Sequence, residues 1–145
     1  MKEFTLIFIL IYLAVFPGCS PDLSDDPIPY QPFSDIVINL SLPTYNSLKV
    51  DGGFATTGGG IRGIIVYRLN STTYLAYEKN CSFHPNDACA TVDVDVTGLY
   101  MIDPCCGSTF SFSNGAVIGG IAWRPLRQYY TSLDYNELTI TDEVL

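Results

Sequence analysis

Histidine is almost absent from this chain: His84 is the single copy among 145 residues. Any centre that needs two imidazoles therefore cannot be assembled within one copy of the protein. Basic residues are scarce too, with seven Lys and Arg against fifteen Asp and Glu and a formal net charge of -8. A chain this acidic is a poor partner for nucleic acid or an anionic membrane surface. Beyond residue 16 no segment is apolar enough to span a bilayer. Internal repeats and sustained helical periods are missing as well. Gly58, Gly59 and Gly60 are followed by neither Lys-Ser/Thr nor a helix, so a flexible strand connection displaces the phosphate-loop reading. There is no nucleophile elbow, and His84 is confined to a Cys-bounded loop, so the chain is read as a non-enzyme.

What is present begins with a leader. Lys2 precedes an apolar run from Thr5 to Phe16 that is too short to cross a membrane comfortably, and Pro17-Gly18-Cys19 follow it. This is the pattern of a signal peptide over 1–18. A small residue directly before Cys resembles the lipobox of bacterial lipoproteins, which implies cleavage there and acylation of Cys19. Removing the leader takes one Lys and one Glu, so the charge stays at -8. Each buried methylene of a lipid contributes about 0.8 kcal/mol, and several chains on one Cys make a firm anchor. The expectation is an exported protein held in the bacterial cell envelope, at the outer membrane on its periplasmic side or at the cell surface. The Ser/Asp stretch with Asp22, Asp25 and Asp26 resembles a surface-transport signal, and it reads equally well as a solvated tether.

Residues 19–33 are rich in Pro, Ser and Asp and read as a flexible linker, with one domain over 34–145. In that domain β-branched and aromatic residues recur in short runs between Gly, Asn, Asp and Ser. The fold class expected is all-β, a small sandwich or barrel with strands near 35–42, 63–68, 74–78, 90–96, 99–102, 109–113, 126–132 and 137–141. Leu69-Asn70-Ser71 and Ser113-Asn114-Gly115 supply two hairpin turns. The many aromatics, such as Tyr67, Tyr77, Phe110 and Tyr129, are expected in core and cross-strand pairs.

Four Cys follow Cys19, at 81, 89, 105 and 106, in two short loops that each follow a strand. Val66-Tyr67-Arg68, a hairpin, Tyr74-Leu75-Ala76-Tyr77 and Cys81 lead to Asp103-Pro104-Cys105-Cys106-Gly107-Ser108-Thr109-Phe110. Gly119-Gly120, Arg124-Pro125-Leu126 and a closing strand pair come next. This order resembles the Rieske iron-sulfur domain from the first hairpin to the C-terminus. The resemblance implies a double-sheet fold with a loop-bearing, cluster-type subdomain over 80–122. In that family two Cys hold one iron of a [2Fe-2S] cluster and two His the other. Cys81 matches the first ligand Cys, Cys89 and Cys105 match a bridging pair found in many members, and Gly107 and Ser108 match the hairpin Gly and the Ser beside the cluster. The pattern is broken in three places: Asp103 stands for the second ligand Cys, Cys106 for the second His, and His84 comes one residue late. An oxygenase of this family would need a second, iron-bearing domain, for which the chain has no room.

Three readings of the loops stay open. In one, the cluster is lost, no cofactor is held, and Cys81–Cys106 and Cys89–Cys105 bridges staple an envelope module. Four Cys allow three connectivities, and joining the neighbours Cys105 and Cys106 would strain the backbone. An exported location favours bridges. In the second, Cys81, His84, Asp103 and Cys106 meet and hold an iron-sulfur cluster with altered ligands, for electron transfer with a redox partner, or a single zinc. The third is an unrelated disulfide-rich sandwich. Each residue also has a plain role: a lone His in a polar loop is commonly solvated, and Asp before Pro caps turns.

Overall fold

The computed structural model describes residues 26–145. The expected signal peptide, the expected anchor Cys19 and the part of the expected linker up to residue 25 lie outside the described residues. The architecture is all-β, as expected, and has two sheets. Among the described residues ten strands run in chain order: β1 Ile36–Asn39, β2 Phe54–Thr57, β3 Ile64–Asn70, β4 Thr73–Glu78, β5 Asp93–Val94, β6 Met101–Ile102, β7 Thr109–Phe110, β8 Val117–Gly119, β9 Gln128–Asp134 and β10 Glu137–Val144. A six-stranded sheet has the order β1-β10-β9-β4-β3-β2, and a four-stranded sheet the order β5-β6-β7-β8. All pairings are antiparallel. Among the described residues no helix is long and apolar enough to cross a membrane.

Alternation along β3 and β4 explains how one sheet supports two cores. Ile64 and Val66, with Tyr74 and Ala76, turn to a first core closed by Ile38, Leu40, Leu48, Leu138 and Ile140. Ile65 and Tyr77 turn to the opposite face and join Met101, Phe110, Phe112 and Leu126 under the small sheet. Successive strand residues point to opposite faces, so a run such as Ile64-Ile65-Val66 is buried throughout because both faces are covered. Tyr77 ties the layers together: its hydroxyl donates to Phe112 O at 2.9 Å.

Several expected strands shift. The stretch 90–96 contracts to β5 and 109–113 to β7, while β2 and β8 are strands that propensity did not announce. A 3-10 helix over Pro43–Lys49 follows β1, where the expected strand ran on to residue 42. Both expected hairpins form, with Gly115 at φ +66 in the second. Upstream of Ser34, residues 26–33 make their own contacts with the domain. Arg127 donates to Pro29 O and, at 2.9 Å, to Ile28 O, and Phe33 meets the Tyr129 ring edge-on at 5.0 Å.

The Gly-rich connection has a defined task. Glu78 is fully buried, and its carboxylate accepts from Ile61 N (2.9 Å), Arg62 N (3.0 Å), Asn80 N (3.0 Å) and Tyr129 Oη (2.8 Å). Gly60 lies at φ +60, and a Cβ there would stand 1.9 Å from Glu78 Oε2. The loop thus wraps an anion supplied by the chain itself, which satisfies an otherwise costly buried charge.

Candidate functional site

Two loops at the small-sheet end bring the Cys residues together. The first, after β4, is pinned at its base by Cys81 N donating to Ala90 O (3.1 Å) and Val92 N to Lys79 O (2.7 Å). Arg62 fixes its far side, donating to Asn80 Oδ1 (2.6 Å), Ala88 O (2.8 Å) and Asp87 O (2.5 Å). The second is the β6–β7 hairpin loop, closed by Asp103 N to Ser108 O (2.9 Å) and Gly107 N to Asp103 O (2.8 Å). A disulfide between Cys89 and Cys105, 16 residues apart, joins the two loops. Closing a loop of that length stabilises by about 3 kcal/mol in the chain-entropy account.

Cys81 and Cys106 are separate thiols with their sulfurs 3.9 Å apart. Cys81 is fully buried, while Cys106 is partly exposed. Burial pushes the Cys81 thiol well above the ordinary range, and a hydrogen bond with Asp103 adds to the shift. Asp103 is fully buried: its Oδ1 accepts from Cys105 N at 2.8 Å, and its Oδ2 lies 3.3 Å from Cys106 Sγ. The turn-capping role open to an Asp before Pro is therefore filled, and one oxygen is left facing the sulfurs.

Ser108 completes the group. Its hydroxyl oxygen accepts from Ile121 N (3.1 Å) and Ala122 N (2.9 Å), and Cys106 Sγ lies 3.2 Å away. Two amides fill both lone pairs, so the hydroxyl proton is free to be donated to the sulfur. That approach depends on Gly120, at φ +89, where a Cβ would come within 2.4 Å of Ser108 Cα.

The sulfurs of Cys81 and Cys106 and a carboxylate oxygen of Asp103 lie within 4.8 Å of one another. His84 is not brought into this group. It is exposed at φ +42, its carbonyl accepts from Asp87 N at 3.0 Å, and its ring packs edge-on against Phe83 at 4.2 Å. The four-residue set weighed from the sequence is thus a three-residue set in space. Sequence reasoning missed Arg62 and quoted Arg124 only in the order that carries the resemblance, with no role assigned. Arg124 donates to Ser82 O at 2.7 Å, and Ser82 Oγ donates back to Arg124 O at 2.6 Å, which clasps the first loop. The scarcity of cations in so acidic a chain was the available signal.

The fold is Rieske-like. The chain resembles the crystal structure of the plasma membrane Rieske protein PetC3 from the cyanobacterium Synechocystis PCC 6803, at 24% identity and a TM-score of 0.53, over 68% of this chain and 94% of that one. A second solved structure, the complex of reduced oxygenase and oxidized ferredoxin in carbazole 1,9a-dioxygenase, matches at 19% identity and a TM-score of 0.48, over 66% and 85%. No protein-family model matches, and no curated protein does.

The donors present do not fit the cluster that such a fold implies. A Rieske [2Fe-2S] centre takes two thiolates on one iron and two imidazoles on the other. Here the one histidine is exposed and outside the group, which offers two thiols and a turn-capping carboxylate and no imidazole.

Proposed function

We propose that the chain is an exported, lipid-anchored module of the bacterial cell envelope, neither an enzyme nor a carrier of the standard cluster, that uses a Rieske-like scaffold stapled by a disulfide. The observation that carries this reading is the composition of the loop tip. Cys81, Asp103 and Cys106 occupy it, Asp103 is held by Cys105 N, and Cys89–Cys105 locks the loops. The leader and Cys19 support export and acylation, with the membrane as one partner and an envelope protein as the other.

The test is native purification from cells that process lipoproteins. The expected protein is colourless, without absorption from about 400 to 600 nm and without stoichiometric iron and sulfide. Cys19→Ser is expected to release it from the membrane fraction and abolish incorporation of labelled fatty acid. A coloured protein carrying labile sulfide would replace this reading with an electron carrier that has altered cluster ligands and a redox partner.

A further inference from the structure

The geometry points to a mononuclear zinc site formed by Cys81 Sγ, Cys106 Sγ and Asp103 Oδ2, with its fourth position left to solvent or an outside ligand. Two sulfurs bound at about 2.3 Å to one tetrahedral ion stand about 3.8 Å apart. Cys81 and Cys106 stand 3.9 Å apart. A sulfur and an oxygen on the same ion are separated by about 3.6 Å. Cys106 Sγ and Asp103 Oδ2 are 3.3 Å apart. Two of the three separations therefore sit close to ligand spacing, the third pair, Cys81 Sγ and the Asp103 carboxylate, lies within 4.8 Å, and the two sulfurs are far from the ~2.05 Å of a disulfide.

The surroundings favour a metal over a plain dithiol. Ser108 Oγ lies 3.2 Å from Cys106 Sγ, and with two backbone amides on its oxygen its proton can be given to a thiolate there. A hydroxyl aimed at a sulfur stabilises the thiolate and orients the ligand, as partners of metal ligands do. Cys105 N holds the other oxygen of Asp103, which fixes the carboxylate. Cys81 is wholly buried and Cys106 half-buried, so the open side of the site lies at Cys106. Two thiolates and a carboxylate suit zinc in preference to magnesium or calcium.

Binding releases the two thiol protons to solvent while the dication enters. Counted with Asp103 as the carboxylate, the buried group carries one negative charge before and after, so the ion enters with no change in buried charge. Three ligands leave one position for an exchangeable ligand, unlike a closed four-ligand structural site. A small anion or thiol of an envelope partner is the chemistry the open position would take. His84 has no place in the site.

The test is anaerobic reconstitution of the full-length protein with zinc alone, followed by elemental analysis and titration against a chromophoric chelator. One zinc per chain is expected, and cobalt in its place is expected to give sulfur-to-cobalt charge-transfer absorption. Cys106→Ser and Asp103→Asn should each weaken binding at least tenfold with circular dichroism unchanged. Ser108→Ala, a positioning change, should weaken it by about tenfold. His84→Ala should bind as the native chain does. Undiminished binding by Cys106→Ser, or reconstituted protein that takes up no zinc while both thiols stay titratable, overturns the site. A colourless protein without zinc would sink this inference and leave the envelope module standing, whereas labile sulfide with iron would sink both.

Discussion

The two halves of this molecule are stabilised in different ways. In the large sheet, β3, β4, β9 and β10 run six to eight residues each, and Ile, Val, Leu and Tyr fill the first core. Strands of two or three residues make up the small sheet, and its loops are held by a disulfide, an arginine clasp and single hydrogen bonds. Long antiparallel ladders position their residues by repetition, whereas short ones leave the geometry to specific polar and covalent ties. The candidate site sits where the backbone is least regular and the ties are most specific, as functional groups on loops commonly do.

The largest break in this contrast is expected inside the regular half. Glu78→Ala leaves four donors that the carboxylate now satisfies. A loss of about 3 to 5 kcal/mol in urea unfolding is expected, with the m-value unchanged. A cost below 1 kcal/mol would mean that the Gly58–Gly60 loop is held by something other than this carboxylate.

Next comes the staple. Cys89→Ser with Cys105→Ser should cost about 3 kcal/mol under oxidising conditions and almost nothing under reducing ones. Amide exchange should rise in the loops 81–90 and 103–108 well before it rises in β3 and β4. Equal rises in both halves would erase the distinction drawn between them.

A smaller effect is expected at the seam. Tyr77→Phe removes the hydroxyl bond to Phe112 O and should cost about 1 kcal/mol. Burial drives the phenol of Tyr77 well up, and burial followed by the hydrogen bond to Glu78 does the same at Tyr129. Raised folded values mean that the folded state keeps its phenol protons longer than the unfolded one. The resulting stability is fully present below about pH 10 and is lost as pH rises further. Tyr77→Phe should therefore flatten part of the alkaline decline in a pH series of unfolding midpoints.

The smallest change is at the edge of the domain. Arg127→Ala frees Ile28 and Pro29, for a cost of about 0.5 to 1 kcal/mol. Limited proteolysis ahead of Phe33 should speed up while the core stays protected. Unaltered cleavage there would show that the remaining contacts, among them Phe33 against Tyr129 at 5.0 Å and Tyr30 Oη donating to Asp142 Oδ2 at 2.7 Å, hold the segment without Arg127.

Much of the fold was legible in the chain. Alternation and β-branching located β3, β4, β9 and β10, because those strands are long enough to show a period. The two-residue strands could not be read that way: two residues have no periodicity, and β2 and β8 lie beside glycines that propensity reads as breaks. Glu78 read as the polar end of a strand, and only the loop folding over it turned it into a buried anion. The site was half legible. Cys81, Asp103 and Cys106 were named from their order along the chain, and so was His84, which the fold leaves exposed and outside the group.

Composition alone settled what cannot be built here: one imidazole cannot supply two, so no standard Rieske centre forms in a single copy, whatever the backbone does. Which atoms meet was decided only by the folded chain. Cys81 and Cys106 are separated by 25 positions in sequence and by 3.9 Å in space, because two loops on different strand pairs are drawn to the same end of one β scaffold. Counting residues fixes the supply of chemical groups, but convergence is a property of the tertiary structure, set by strand register, turn geometry and a covalent tie acting together.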